Sequence, residues 1–170
     1  MAVLKKNGPV YESVSLMNTL AMTRRDLYQI YLGFESESYC YIIREDDEGK
    51  LPLVYSRTVS PGDSITLPGE GRDFLAGEHP GTNRLYVIVS AQPRQNLGRL
   101  IEQRERGSSA GSLERSILSE VLAVKRYASS AQEIPVIFSP PQEGDPVMNG
   151  EMTIIEGRDV RVFTITVRVQ

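Results

Sequence analysis

Asp26-Leu27-Tyr28-Gln29-Ile30-Tyr31-Leu32-Gly33-Phe34 decides the fold, because Tyr28, Ile30, Leu32 and Phe34 recur at every second position. Successive side chains of an extended strand point to opposite faces, so these four share one face of a half-buried strand. Glu35 to Ser38 turns the chain, and Tyr39-Cys40-Tyr41-Ile42-Ile43 runs back as a second strand. Glu45-Asp46-Asp47-Glu48-Gly49 is an acidic turn before Leu51 to Tyr55, which together reads as a meander of hairpins.

Further along, Ser60-Pro61-Gly62-Asp63 is a turn, since Pro61 presets φ at its first central position and Gly62 tolerates positive φ at the second. Ser64 to Leu67 follows as a short strand, and Pro68 to Gly81 is a long loop with Phe74 and Leu75 tucked inward. Leu85 to Val89 is apolar without a break, the pattern of a central strand covered on both faces. Upstream, residues 1–24 read as a mixed lead-in in which Val10 to Leu16 could add a strand at the sheet edge.

After Pro93 the period changes. Asn96 is the expected N-cap of a short helix with Leu97, Leu100 and Ile101 on its inner side, and Ser112 that of a second helix. Leu113, Ile117, Val121 and Val124, flanked by Leu118 and Leu122, form the second helix's apolar stripe; Glu114 and Lys125 with Arg126 suit its two ends. Ile134 to Phe138 reads as a strand, and Met152 to Ile155 and Val160 to Val169 as a final pair. Phe163, Ile165, Val167 and Val169 share one face of the last of these.

With 170 residues the chain can bury a full core as one domain, 25–170, carrying a helical insertion at about 96–128. Net charge is -3 with both signs interspersed, which speaks against nucleic acid as a partner. Cys40 is the single cysteine, so no intrachain disulfide forms. No apolar run reaches the roughly 20 residues of a membrane span. A soluble protein is expected, in an envelope or periplasm if a signal has been removed and otherwise in the cytoplasm.

The order of these features resembles the bacterial domain of unknown function 4384 family. The resemblance is carried by Arg25-Asp26 before an alternating strand, by Ser38-Tyr39-Cys40-Tyr41-Ile42-Ile43 with the acidic turn closing on Gly49, and by Pro61-Gly62-Asp63 leading to Ile65-Thr66-Leu67-Pro68. Pro80-Gly81-Thr82-Asn83-Arg84 running into Leu85-Tyr86-Val87-Ile88-Val89-Ser90 completes it, so that it is strongest from Arg25 to Pro93. Where the family carries a phenylalanine-proline-asparagine run, this chain has Leu53-Val54-Tyr55-Ser56-Arg57. The resemblance implies an immunoglobulin-like β-sandwich with added helix, an accessory module that brings no catalytic residues.

The residues that could carry chemistry each have a simpler reading. Gly107-Ser108-Ser109-Ala110-Gly111 satisfies the nucleophile-elbow spacing, but a helix rather than a strand precedes it and the only histidine, His79, lies upstream instead of downstream. His79 beside Glu78 lacks the partners of a base or ligand, and Cys40 has no neighbour to lower its pKa. The acidic tip fails the calcium-loop pattern, because Arg44 and Tyr55 would occupy ligand positions. Gly69-Glu70-Gly71 lacks the third glycine and following helix of a phosphate cradle. Arg94, Arg99, Arg104, Arg106 and Arg115 make a basic helical surface interrupted by Glu102, Glu105 and Glu114, and tyrosines 28, 31, 39, 41, 55 and 86 crowd the strands.

The expectation is a mainly β protein of about seven to nine strands, an immunoglobulin-like sandwich with one or two packing helices. It carries no catalytic, metal or cofactor site and binds a protein or peptide through a sheet face or edge. The competing expectation is a small-molecule or metal-dependent enzyme built on the 68–81 loop and the acidic tip, for which Asp46, Asp73 and His79 would have to converge.

Overall fold

The computed structural model describes residues 1–14, 19–69, 71–77, 80–107, 111–128, 132–137, 148–149, 151–156 and 159–170, with the backbone only for 132–137, 148–149 and 151–156. The fold is mainly β, a sandwich of two sheets with two helices packed against it. The strands are β1 (Ala2–Asn7), β2 (Val10–Val14), β3 (Leu20–Met22), β4 (Leu27–Gly33), β5 (Ser38–Glu45), β6 (Leu53–Val59), β7 (Ser64–Leu67), β8 (Phe74–Leu75) and β9 (Gly81–Ser90). Helices α1 (Gln95–Glu105) and α2 (Gly111–Tyr127) follow, then β10 (Gln132–Ile137), β11 (Met148–Asn149), β12 (Glu151–Glu156) and β13 (Val160–Val169).

One sheet runs β11-β2-β1-β4-β7, with β8 also on β4; the other runs β3-β13-β9-β5-β6. The sequence β13-β9-β5-β6 is the order in which a variable-type immunoglobulin domain sets its G, F, C and C′ strands, while β1-β4-β7 follows its A, B and E strands. Both helices and β10 to β12 therefore occupy the connection between the F-like and G-like strands.

Two apolar layers result. Between the sheets lie Val3, Tyr28, Ile30, Leu32, Cys40, Ile42, Leu85, Val87, Phe163 and Ile165, among others. On the far side of the second sheet Tyr41, Ile43, Tyr86 and Ile88 meet Leu97 and Ile101 of α1 and Ile117, Val121 and Val124 of α2. Alternation explains both: Cys40 and Ile42 point one way from β5, Tyr41 and Ile43 the other. The expected two-sided burial of Leu85 to Val89 follows from β9 lying between β5 and β13 beneath the helices.

Several expectations change. Residues 1–24 are more than a lead-in, since β1 pairs with both β2 and β4 and Val3 is wholly buried; Val10–Val14 is the strand nearer the edge. Phe74 packs inward, 5.3 Å from the Tyr28 ring between centroids, whereas Leu75, the next residue of the two-residue strand, faces out and is exposed. Met152 to Ile155 pairs with β10, while β13 pairs with β9 and with β3. Phe138 lies outside the described residues.

Neither expected cap holds. Helix α1 begins before Asn96, with Arg94 at the cap position and no side-chain cap; the Tyr41 hydroxyl accepts the Arg94 backbone N–H at 2.9 Å instead. A hydroxyl from the sheet thus satisfies an N–H that a local side chain would otherwise serve. Ser112 lies inside the first turn of α2, where its carbonyl accepts the Ser116 hydroxyl at 2.9 Å. The α2 stripe is Ile117, Val121 and Val124, with Leu113 and Leu118 partly buried and Leu122 exposed.

Candidate functional site

Among the described residues, the reactive side chains do not assemble. Ser109 and His79 lie outside the described residues. Cys40 is fully buried between the sheets, and burial pushes its thiol up to about 12, so it stays protonated and unreactive. Asp46 is used by its own turn, where its Oδ1 accepts the backbone N–H groups of Glu48 at 3.0 Å and Lys50 at 2.8 Å. Asp73 faces the β1–β2 hairpin, where its two oxygens accept from Lys6 Nζ at 2.8 Å and the Tyr11 hydroxyl at 2.7 Å. Asp46 and Asp73 thus have separate sets of partners. Among the described residues no group of three histidine, cysteine, aspartate or glutamate side chains is placed to hold a metal ion.

The tyrosines divide. Tyr28, Tyr41 and Tyr86 are buried, and the Tyr86 hydroxyl donates to Glu45 Oε2 at 2.8 Å; burial and then this carboxylate push it up to about 12. Tyr39 and Tyr55 are half-buried packing residues, each against a different core layer. An outward tyrosine face of the kind the strands suggested is therefore largely consumed by packing.

The basic helical surface also divides. Arg104 reaches the Leu51 carbonyl and lies 3.9 Å from Glu114; Arg106 lies 3.5 Å from Glu102; Arg115 Nε donates to the Gly111 carbonyl at 3.2 Å. Arg94 is held through Nε by the Ser90 hydroxyl at 3.2 Å, and Arg99 is exposed; neither forms an ion pair with the described residues.

These two arginines border an open groove of about 470 Å³ between the first half of α1 and the β5–β6 hairpin. Register builds its sheet wall. Tyr39 is opposite Thr58 and Tyr41 opposite Ser56, so these four side chains share the helix-facing side, while Arg57 between them, opposite Cys40, alternates to the other face and borders the groove at the strand's open edge. The helix wall is Pro93 through Gln95, Gly98, Arg99 and Glu102. Tyr41 fixes the geometry, because its hydroxyl holds the Arg94 N–H from which α1 starts.

Beside the groove the sheet ends. β6 bonds β5 on one side from Leu53 to Val59, and no described strand bonds its other side. Its seven residues present about 23 Å of backbone at the usual rise per residue. The other sheet ends among the described residues are shorter: β3 has three residues, β7 four and β11 two, and β10 and β12, which pair only with each other, six each. Ser56, Arg57 and Thr58 are exposed, so the groove end of β6 is open to an incoming chain. Sequence reasoning placed a strand at Leu51 to Tyr55, ending before the exposed residues; continuous β-tolerant residues to Val59 were the signal for the longer one.

Compared with protein-family models, curated proteins and solved structures, the chain has no match in any of the three. Among the described residues no helix is long and apolar enough to cross a membrane.

Proposed function

We propose that this domain is a non-enzymatic interaction module that binds an extended segment of a protein partner as an added strand on β6. The observation that carries this reading is the length of β6 whose outer side is unpaired among the described residues. A strand in that position offers a row of unpaired N–H and C=O groups; main-chain hydrogen bonds to it supply affinity, and pockets for alternate side chains supply selectivity. The groove lies where such pockets are needed.

The test is hydrogen–deuterium exchange on the complex with a captured partner. Leu53–Val59 gains protection when the partner occupies the edge, and protection confined to other elements overturns the proposal. Separately, hydrolysis of ester or peptide substrates that disappears in Ser109→Ala or His79→Ala would show an enzyme instead.

A further inference from the structure

The occupant of the β6 edge can be assigned a chemistry, on the assumption that this edge is where the partner binds. We infer that the groove between α1 and β6 selects an acidic extended peptide, whose carboxylates meet Arg94 and Arg99 in the groove and Arg57 across the strand pair.

Charge placement points to this class. Arg57, Arg94 and Arg99 all border the groove and none has an ion-pair partner among the described residues. The one acid in the lining, Glu102, directs its carboxylate to Arg106 on the next turn, at 3.5 Å. The groove is thus locally positive on a chain whose net charge is -3. Arg94 is also preorganised: its backbone N–H is held by Tyr41 and its Nε by Ser90, which leaves the terminal guanidinium nitrogens to form charge-assisted bonds.

Helix α1 supplies an independent observation. Gly98 sits in the interior of the helix and borders the groove, yet a Cβ built there would meet nothing within 4 Å. Glycine weakens a helix interior, and here no close neighbour within the fold requires it. Its effect is to hold the groove open midway along the helix wall. Alternate side chains of an added strand fall on the helix side of the sheet and enter that space.

A second copy of this chain is a poorer occupant of the edge. Pairing β6 against β6 brings the two Arg57 side chains onto one short ribbon, and like charges across a strand pair are destabilising. An acidic strand turns the same residue into an attraction.

The experiment selects binders from a library of random short peptides displayed on phage, followed by synthesis of the enriched sequences. Their affinity is measured by fluorescence anisotropy, and their site by amide chemical shifts. The expected pool is enriched in Asp and Glu and shifts the amides of β6 and α1. Its affinity falls about tenfold or more in the double variant Arg57→Glu with Arg99→Glu, and binding weakens steeply with salt. Gly98→Leu should lose the same peptides while melting no lower than the parent, which separates blocking the groove from damage to the fold. Neutral or basic peptides that shift the β6 amides would overturn the acidic selection but leave strand addition standing. Failure to select any peptide that shifts β6, or acidic peptides that bind Gly98→Leu unchanged, overturns the inference. Self-association by light scattering that Gly98→Leu abolishes would name a second copy as the occupant and overturn it too.

Discussion

Cys40 shows how one side chain's chemistry follows from its strand. Its position opposite Val89 on one side and Arg57 on the other puts the thiol under the first sheet, with no exposed surface. Maleimide labelling of the native protein is therefore expected to proceed only through unfolding, and labelling as fast as in denaturant would refute the register of β5. Asp73 gives a second residue-scale expectation. Burial opposes its charge, but the hydrogen bonds from Lys6 and Tyr11 outweigh burial and hold its carboxyl below the ordinary 3.8. A depressed folded pKa means that this contribution is complete above about pH 4 and is lost as pH falls through the lower folded value. Asp73→Asn should lower the melting temperature at pH 7, and the gap to the parent should close as pH falls through the lowered folded value. A gap that persists in acid would show that the aspartate's charge is not what ties the loop to the hairpin.

Among the elements, those with unbroken periodicity were legible and those defined by partners were not. The alternation of Tyr28, Ile30 and Leu32, the apolar run of β9 and the stripe of α2 each carry enough burial to impose their own structure, and each lies where the pattern puts it. The short β1 has apolar Ala2, Val3 and Leu4 followed by two lysines, too little to separate a core strand from a tail; its pairing with β4 makes it one. The start of α1 differs from the expected one because a sheet hydroxyl, Tyr41, rather than a local residue serves it. The groove was hidden for the same reason, since its walls come from 39–41, 56–58 and 93–102 and only folding brings them together. The packing of α2 itself is testable. Ile117 is fully buried against the second sheet, so Ile117→Ala should cost about 3 kcal/mol through lost burial and the cavity left behind. Equilibrium denaturation measures this, and a loss below about 0.5 kcal/mol, the range of typical surface substitutions, would detach the helix from the core.

At the scale of the whole molecule, the second sheet is the wall shared by both apolar layers. Tyr41 and Ile43 of β5 belong to the helix side and Cys40 and Ile42 to the sandwich side, and β9 divides in the same way. Opening either layer therefore exposes one face of the same two strands, which couples the helices to the sandwich. Local stability follows from such coverage, because an amide exchanges through the cheapest opening that frees it. β5 and β9 are bonded on both sides and covered on both faces, so their amides should exchange only near the free energy of global unfolding. β6 shares one ladder with β5 but has three consecutive exposed residues, Ser56 to Thr58, and no described strand beyond it. Its outward amides should exchange orders of magnitude faster than those of β5 in the isolated protein, and a bound strand should slow them toward the β5 rate. Native-state hydrogen exchange followed residue by residue reads both quantities at once. Slow exchange along the whole of β6 in the unbound protein would mean that its edge is already covered, and would remove the surface on which strand addition depends.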